Sequence, residues 1–394
     1  ERALQLLYGM HESAVEPDVV IFNATISACE KGGQWEKALQ LLDDMQQRGV
    51  EPNVITFNAA ISACEKCKQW ERALQLLDNM QTRGLEPNVI TFSAAISACE
   101  KGSEWEKALR LLDEMQLIGV EPSVVTFSAA ISACEKGGQW EKALQLLEDM
   151  QKRGVAPNVV SFNAAISACE KGRQWEKALE LLDEMQHHGV QPNVISFNAT
   201  ISACGKGAQW EKALQLLSDM RQRGLEPEVI SYNAAITACE KGAQSDKALQ
   251  LLDEMQQYGI EPNAISFSAI IEVLEKAKHY KQSDRIYMDA LKHGIFAGFW
   301  RDKEKTLLDL HGASEAVSRT ILRAHLNEVR CGTRQPVGLV IITGRGIHSA
   351  DGPVLSFGVR SFLLEICGPV VTEDPANPGR AILTKADMEQ WLSK

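Results

Sequence analysis

One phrase of 35 residues recurs along this 394-residue chain, and that regularity limits the fold more than any other feature. The first full copy reads VVIFNATISACEKGGQWEKALQLLDDMQQRGVEPN, from Val19 to Asn53. Complete copies follow from Val54, Val89, Val124, Val159, Val194 and Val229, and a degenerate eighth starts at Ala264. Residues 1–18 read as the second half of a copy whose first half is missing, so the chain is expected to be a piece of a longer protein, with any targeting segment out of view. A short repeat cannot bury its apolar face alone, and stacked copies can.

Each copy reads as two helices. In the first, Phe22, Ile26 and Cys29 recur at four- and three-residue spacing and make one apolar stripe, closed by Gly32 and Gly33. The second runs from about Gln34 to Gln47, with Trp35, Ala38, Leu39, Leu42 and Met45 on one face. Arg48-Gly49 and then Pro52 stop it. The periodic tryptophans Trp35, Trp70, Trp105, Trp140, Trp175 and Trp210 fall on that apolar face and are expected to pack in the core rather than to stack on bases. The expected fold is an α-solenoid of two-helix repeats over residues 19–298, a linker at 299–304, and a small α/β domain from 305 to 394.

With 45% hydrophobic residues the chain is not disordered. It has no run of about 18 apolar residues, so no membrane partner is expected. Seven of the ten cysteines (Cys29, Cys64, Cys99, Cys134, Cys169, Cys204 and Cys239) keep the repeat spacing. Equivalent residues of stacked helices stand about 8–10 Å apart, too far for a disulfide. These thiols therefore read as small buried residues in a reducing compartment. Cys64 and Cys67 form a lone CxxC with no second pair to complete a zinc site, so no metal and no cofactor is expected there.

The period is 35 rather than the 34 of tetratricopeptide repeats, and that family's signature is absent. The phrase VITFNAAISACEK, followed by WEKALQLLDEMQ and GVEPN or GIEPN, resembles the pentatricopeptide repeat in every copy. The resemblance implies that each repeat reads one base of single-stranded RNA. The implied base-reading residues are Asn23 with Asn53, Asn58 with Asn88, Ser93 with Ser123, Ser128 with Asn158, Asn163 with Asn193, Asn198 with Glu228, and Asn233 with Asn263. It further implies that Val20, Ile55, Ile90, Val125, Val160, Ile195 and Ile230 sandwich the bases. The same Asn and Ser residues would also serve as ordinary helix caps and turn residues. By the family's pairing rules the RNA reads roughly 5′-YYxAYxY-3′, running parallel to the chain.

A net charge of −11 argues against nucleic acid only if it is evenly spread. Residues 299–394 hold 12 basic and 11 acidic side chains, which leaves 29 and 41 in the rest. The acids gather on second helices, whereas each first helix ends in a lysine: Lys31, Lys66, Lys101, Lys136, Lys171, Lys206 and Lys241. Seven aligned ammonium groups are suited to tracking a phosphate backbone, and equally to complementing helix dipoles.

After Phe299 the pattern alternates strand and helix. Strands are expected at Leu307–Gly312 and Gly338–Thr343, and a helix at Ser314–Val329. A further helix is expected from Pro353 through Glu365, and a strand pair from Val370–Thr372 and Ala381–Leu383. LDLHG followed by TGRGIHS resembles the Small MutS-related (Smr) domain, whose members bind nucleic acid and some of which are endonucleases. The resemblance carries Asp309 and His311 over as candidate catalytic residues. It also carries over the loop Thr343, Gly344, Arg345 and Gly346, which offers backbone N–H groups and a guanidinium to phosphate. His348 is a secondary candidate. In this reading His311 is a general acid or base, oriented by Asp309 from the same side of the strand. A divalent metal for cleavage finds no ligand spacing in the sequence to support it. The residues leave three functions open: an RNA endonuclease, an RNA binder that does not cut, and a protein-binding scaffold. The family resemblance points to a plastid or mitochondrion.

Overall fold

The structure, a computed structural model, describes every residue except Glu1, residues 13 and 14, residues 344 to 353, and residue 376. Two compact bodies comprise Glu1–Ala203 and Cys204–Lys394.

In the first body the helices are α1 (Arg2–Glu12), α2 (Val19–Lys31), α3 (Trp35–Gln47), α4 (Val54–Lys66), α5 (Trp70–Thr82), α6 (Val89–Lys101), α7 (Trp105–Leu117), α8 (Val124–Lys136), α9 (Trp140–Lys152), α10 (Val159–Lys171) and α11 (Trp175–His187). Helix α12 (Val194–Lys206) carries the boundary between the bodies. Each odd-numbered helix packs on its even-numbered partner, and first helices pack on first helices of the next copy. Phe22, Ile26 and Cys29 are buried, as are their counterparts Phe57, Ile61 and Cys64. Burial pushes the Cys64 thiol up to about 11 and the Cys99 thiol up to about 12, so both stay protonated and unreactive.

Two details differ from the sequence expectation. On the second helix the buried face is Ala38, Leu41, Leu42 and Met45, with Leu39 only half-buried. The tryptophans are half-buried as well. Trp70 lies against Gly102 and Trp105 against Gly137, each across a repeat boundary and so close that a Cβ on the glycine would collide with the indole. They seal the seam between neighbours rather than fill the core.

The second body continues the pattern through α13 (Trp210–Gln222), α14 (Val229–Lys241), α15 (Ser245–Gln257), α16 (Ala264–Lys276) and α17 (Tyr280–Lys292). A short 3-10 turn at Ala297–Phe299 precedes β1 (Leu307–Asp309), α18 (Glu315–Arg330), β2 (Leu339–Ile342), α19 (Val354–Glu365), β3 (Thr372–Asp374), β4 (Asn377–Leu383) and α20 (Lys385–Leu392). The strands form one sheet in the order β1-β2-β4-β3. β1 and β2 run parallel, with Leu308 opposite Ile341, and the other neighbours are antiparallel. Leu308, Leu339, Ile341, Ala381 and Leu383 are buried on one sheet face, and Ile321 and Leu322 of α18 and Phe362 of α19 are buried as well. The expected strand pair is present, with the first strand shifted to Thr372–Asp374 and the second starting earlier, at Asn377.

Helix α18 docks on the last helical pair through a buried ion-pair network. Arg323 meets Glu275 of α16 at 2.5 Å and Asp284 of α17 at 2.8 Å. Ser283 and Thr320 share a hydrogen bond of 2.8 Å beside it. The α/β region is thus fastened to the last repeat by more than the chain connection.

Candidate nucleic-acid interface

The residues Asn53, Asn88, Asn158 and Asn263 hold the N-cap positions of α4, α6, α10 and α16. The Asn53 side-chain oxygen accepts from the backbone N–H groups of Ile55 and Thr56, at 3.0 and 3.1 Å. Those backbone donors fix which end of the amide points inward. The Nδ2 group of Asn53 has no partner among the described residues.

Both members of a pair come together. Asn23 Nδ2 donates to Asn53 Oδ1 at 3.3 Å, Asn58 to Asn88 at 3.4 Å, Ser128 to Asn158 at 3.5 Å, and Asn163 to Asn193 at 3.2 Å. In the second body Asn233 donates to Asn263 at 3.2 Å. Ser93 and Ser123 do not touch directly; the Thr126 hydroxyl joins them, at 2.7 and 3.0 Å. Asn198 and Glu228 fall in different bodies. The capping role and the pairing therefore coexist: the oxygen is consumed inside the protein and the amide N–H groups are left over.

Sequence reasoning missed the residue that builds this arrangement. Thr56 donates to Asn23 Oδ1 at 2.6 Å, Thr91 to Asn58 at 2.6 Å, Ser196 to Asn163 at 2.5 Å and Ser266 to Asn233 at 2.5 Å. These hydroxyl residues are fully buried. Their signal is a Thr or Ser held at the third place of each copy from the second onward, inside an otherwise apolar helix.

Val20, Ile55, Ile90, Val125, Val160, Ile195 and Ile230 are exposed by 52 to 66%. Ile265 of the degenerate copy, outside the set expected from the sequence, is exposed in the same way. Between two consecutive copies lies a cavity of about 380 Å³, walled by Ile90 and Val125 and lined by Ser93 and Ser123.

The lysines are engaged across repeats rather than standing free. Lys66 meets Glu30 at 2.6 Å, Lys136 meets Glu100 at 2.5 Å and Lys171 meets Glu135 at 2.6 Å, while Lys101 pairs with Glu65. In the second body Lys276 meets Glu240 at 2.5 Å. Lys31 and Lys241 have no ion-pair partner among the described residues; Gly205 stands where the partner of Lys241 would be. Lys206 closes α12.

In the α/β region β1 ends at Asp309, so strand alternation does not extend to His311. The Asp309 carboxylate takes the Arg301 guanidinium at 2.7 Å and the His311 backbone N–H at 3.0 Å. It therefore shapes the turn and does not orient the imidazole, in contrast to the sequence expectation. Burial raises the Asp309 carboxyl, but the Arg301 and His311 N–H hydrogen bonds outweigh it and hold it below the ordinary value. The exposed His311 imidazole has no hydrogen-bond partner among the described residues. Thr343 is buried and donates to the Gly379 carbonyl at 3.3 Å. Gly344, Arg345, Gly346 and His348 lie outside the described residues. Among the described residues no group of three or more His, Cys, Asp or Glu is placed to hold a metal, and no helix is long and apolar enough to cross a membrane.

Family models match the repeats from residue 17 to residue 276: the PPR repeat family at residues 17–66 and 52–101, the pentatricopeptide repeat domain at 110–172, 145–207 and 215–276, and the PPR repeat at 90–120 and 195–225. The chain belongs to the pentatricopeptide repeat family. Among solved structures it is similar to the pentatricopeptide repeat protein PPR10 from maize, with 21% identity, a TM-score of 0.50, and coverage of 93% of this chain and 54% of that one. It thus spans about half the length of the maize protein. PPR10 in complex with an 18-nt psaJ RNA element matches at 18% identity and a TM-score of 0.45, covering 82% of this pentatricopeptide repeat chain and 55% of that chain. The PPR domain of Arabidopsis thaliana protein-only RNase P 1 in complex with tRNA matches at 18% identity and a TM-score of 0.41, over 45% of this chain and 94% of that one. No curated protein matches.

Proposed function

We propose that the repeats bind single-stranded RNA sequence-selectively, one base per repeat, and that the C-terminal region is an Smr domain acting on the same RNA. The observation that carries the first part is the cavity between Ile90 and Val125, with Ser93 and Ser123 lining it. Apolar walls accept the two faces of a base while the polar pair meets its edge. In the Asn–Asn copies that pair offers amide N–H donors, because backbone N–H groups and the Thr or Ser hydroxyl already occupy its oxygens. Such an edge suits the carbonyl acceptors that both pyrimidines carry, in keeping with the sequence 5′-YYxAYxY-3′.

The lysines contribute through exchange. A half-exposed ion pair is worth about 0–1 kcal/mol, so a phosphate can displace Glu30 from Lys66 at little cost. Binding strength then rests mainly on the bases, consistent with an acidic chain.

For the C-terminal region the proposed cleaving group is His311, whose exposed imidazole shares a cavity wall with Asp309 and Arg301, with Arg345 and its glycine loop proposed from the sequence as the phosphate cradle. The setting is RNA processing in a plastid or mitochondrion. Selection of RNA by the intact chain from a random pool, read for both enrichment and cut ends, tests both parts. Enrichment of a pyrimidine-rich motif supports the first. RNA decay abolished by His311→Ala supports the second; equal decay with both proteins removes it.

A further inference from the structure

The eighth copy is degenerate where the pair should be. Its fifth residue is Ser268, the place held by Asn23 in the first copy, and its last residue is Gly298, the place held by Asn53. The second reader has been reduced to a hydrogen atom. The space so released does not close. A cavity of about 400 Å³ remains, lined by Ser268 and Gly298 on the repeat side and by Phe299, Arg301, Asp309 and His311 on the other. That volume falls in the range of small-molecule sites, roughly 300–1,000 Å³.

The two sides of the cavity are fixed to each other. Arg323 clamps α18 to α16 and α17 through Glu275 and Asp284, and Ser283 bonds Thr320 alongside. The cavity is therefore a built feature of the second body. Its lining combines an aromatic wall, a hydroxyl, an imidazole with no hydrogen-bond partner among the described residues, and a guanidinium that is 58% exposed although it also serves Asp309. An unpaired nucleotide needs these groups together: a wall for the base, a polar contact for its edge, and cationic donors for its phosphate.

We propose that this composite cavity holds one unpaired nucleotide, the first to leave the array on its 3′ side, with the base against Phe299 and Ser268 and the phosphate at Arg301 and His311. The degenerate copy is then a hand-over point that delivers the RNA backbone to His311 at a fixed distance from the bases read by the repeats. The proposal rests on the reading that the array holds single-stranded RNA.

The test uses the intact chain and an RNA it selects, made in two lengths: one ending at the last base read by the seventh copy, the other extended by three nucleotides with 4-thiouridine at the first added position. The extended RNA should bind about tenfold tighter, the effect of one stacked base, and should crosslink within residues 296–317. Ser268→Trp, which fills the cavity, should erase the added affinity and the crosslink while leaving the short RNA unaffected. Arg301→Ala should reduce the added affinity with the cavity still open. Equal binding of both lengths, or a crosslink that survives Ser268→Trp, overturns the proposal while the array reading stands. Failure of the short RNA to bind removes the array reading and the proposal with it.

Discussion

Thr56 reaches across a repeat boundary and donates its hydroxyl to Asn23 Oδ1 at 2.6 Å, while the same hydroxyl lies 3.1 Å from Asn53 Oδ1. One buried side chain thereby sets the spacing of the two residues proposed to meet a base. Thr56→Val keeps the shape and removes the hydroxyl, leaving Asn23 Oδ1 without its donor. Stability should fall by about 1–3 kcal/mol, the cost of an unsatisfied buried acceptor. Urea unfolding measures this. Discrimination at the one base proposed to meet Asn23 and Asn53 should fall as well, with the other positions unchanged.

Six non-glycine residues with positive φ stand where Gly33 and Gly138 stand in their own copies, among them Lys68 at 60° and Ala243 at 54°. A Cβ in that left-handed conformation is strained. Ala243→Gly should stabilise the second body by about 0.5–1 kcal/mol, net of the added freedom of the unfolded chain. A fall in the denaturation midpoint would contradict the strain.

His325 on α18 is 2% exposed, its ring tilted against that of Trp300 with centroids 5.0 Å apart, and neither ring nitrogen has a hydrogen-bond partner among the described residues. Burial pushes its pKa down to about 4, with the charge of Arg334 acting the same way. The unfolded chain binds this proton near pH 6.5, the folded chain only near 4, so stability is complete above pH 6.5 and falls as pH drops towards 4. The slope from this group approaches about 1.4 kcal/mol per pH unit. Denaturation of the wild type and of His325→Phe between about pH 4 and 7 should show the slope in the first and its loss in the second.

Much of the fold was legible because it is periodic. The copies repeat the same apolar spacing, so Phe22, Ile26 and Cys29 announce a buried stripe by their positions alone. The tryptophans misled because an indole on an apolar helix face reads as core. Only the stacked geometry shows the glycine of the next copy drawn up against it. The resemblance named the two polar residues that the structure brings together in most copies, whereas the buried hydroxyl that joins them was not legible, since its partner lies 33 residues away. At Asp309 the carboxylate is taken by Arg301, which lies outside the motif and eight residues upstream, so no spacing within the motif points to it. Period-2 reasoning failed there because the strand ends at Asp309, short of His311.

The most direct measurement of the central claim is binding of the intact chain to its selected RNA and to variants altered at single bases, before and after replacement of one pair, Asn58→Ala with Asn88→Ala. The account predicts that wild-type affinity falls about tenfold or more when the matching base is changed to a purine, in line with about 1–3 kcal/mol for a lost base contact. It predicts that the double variant loses this preference at that base alone. Equal affinity for all single-base variants, or a uniform loss across every position in the double variant, would contradict it.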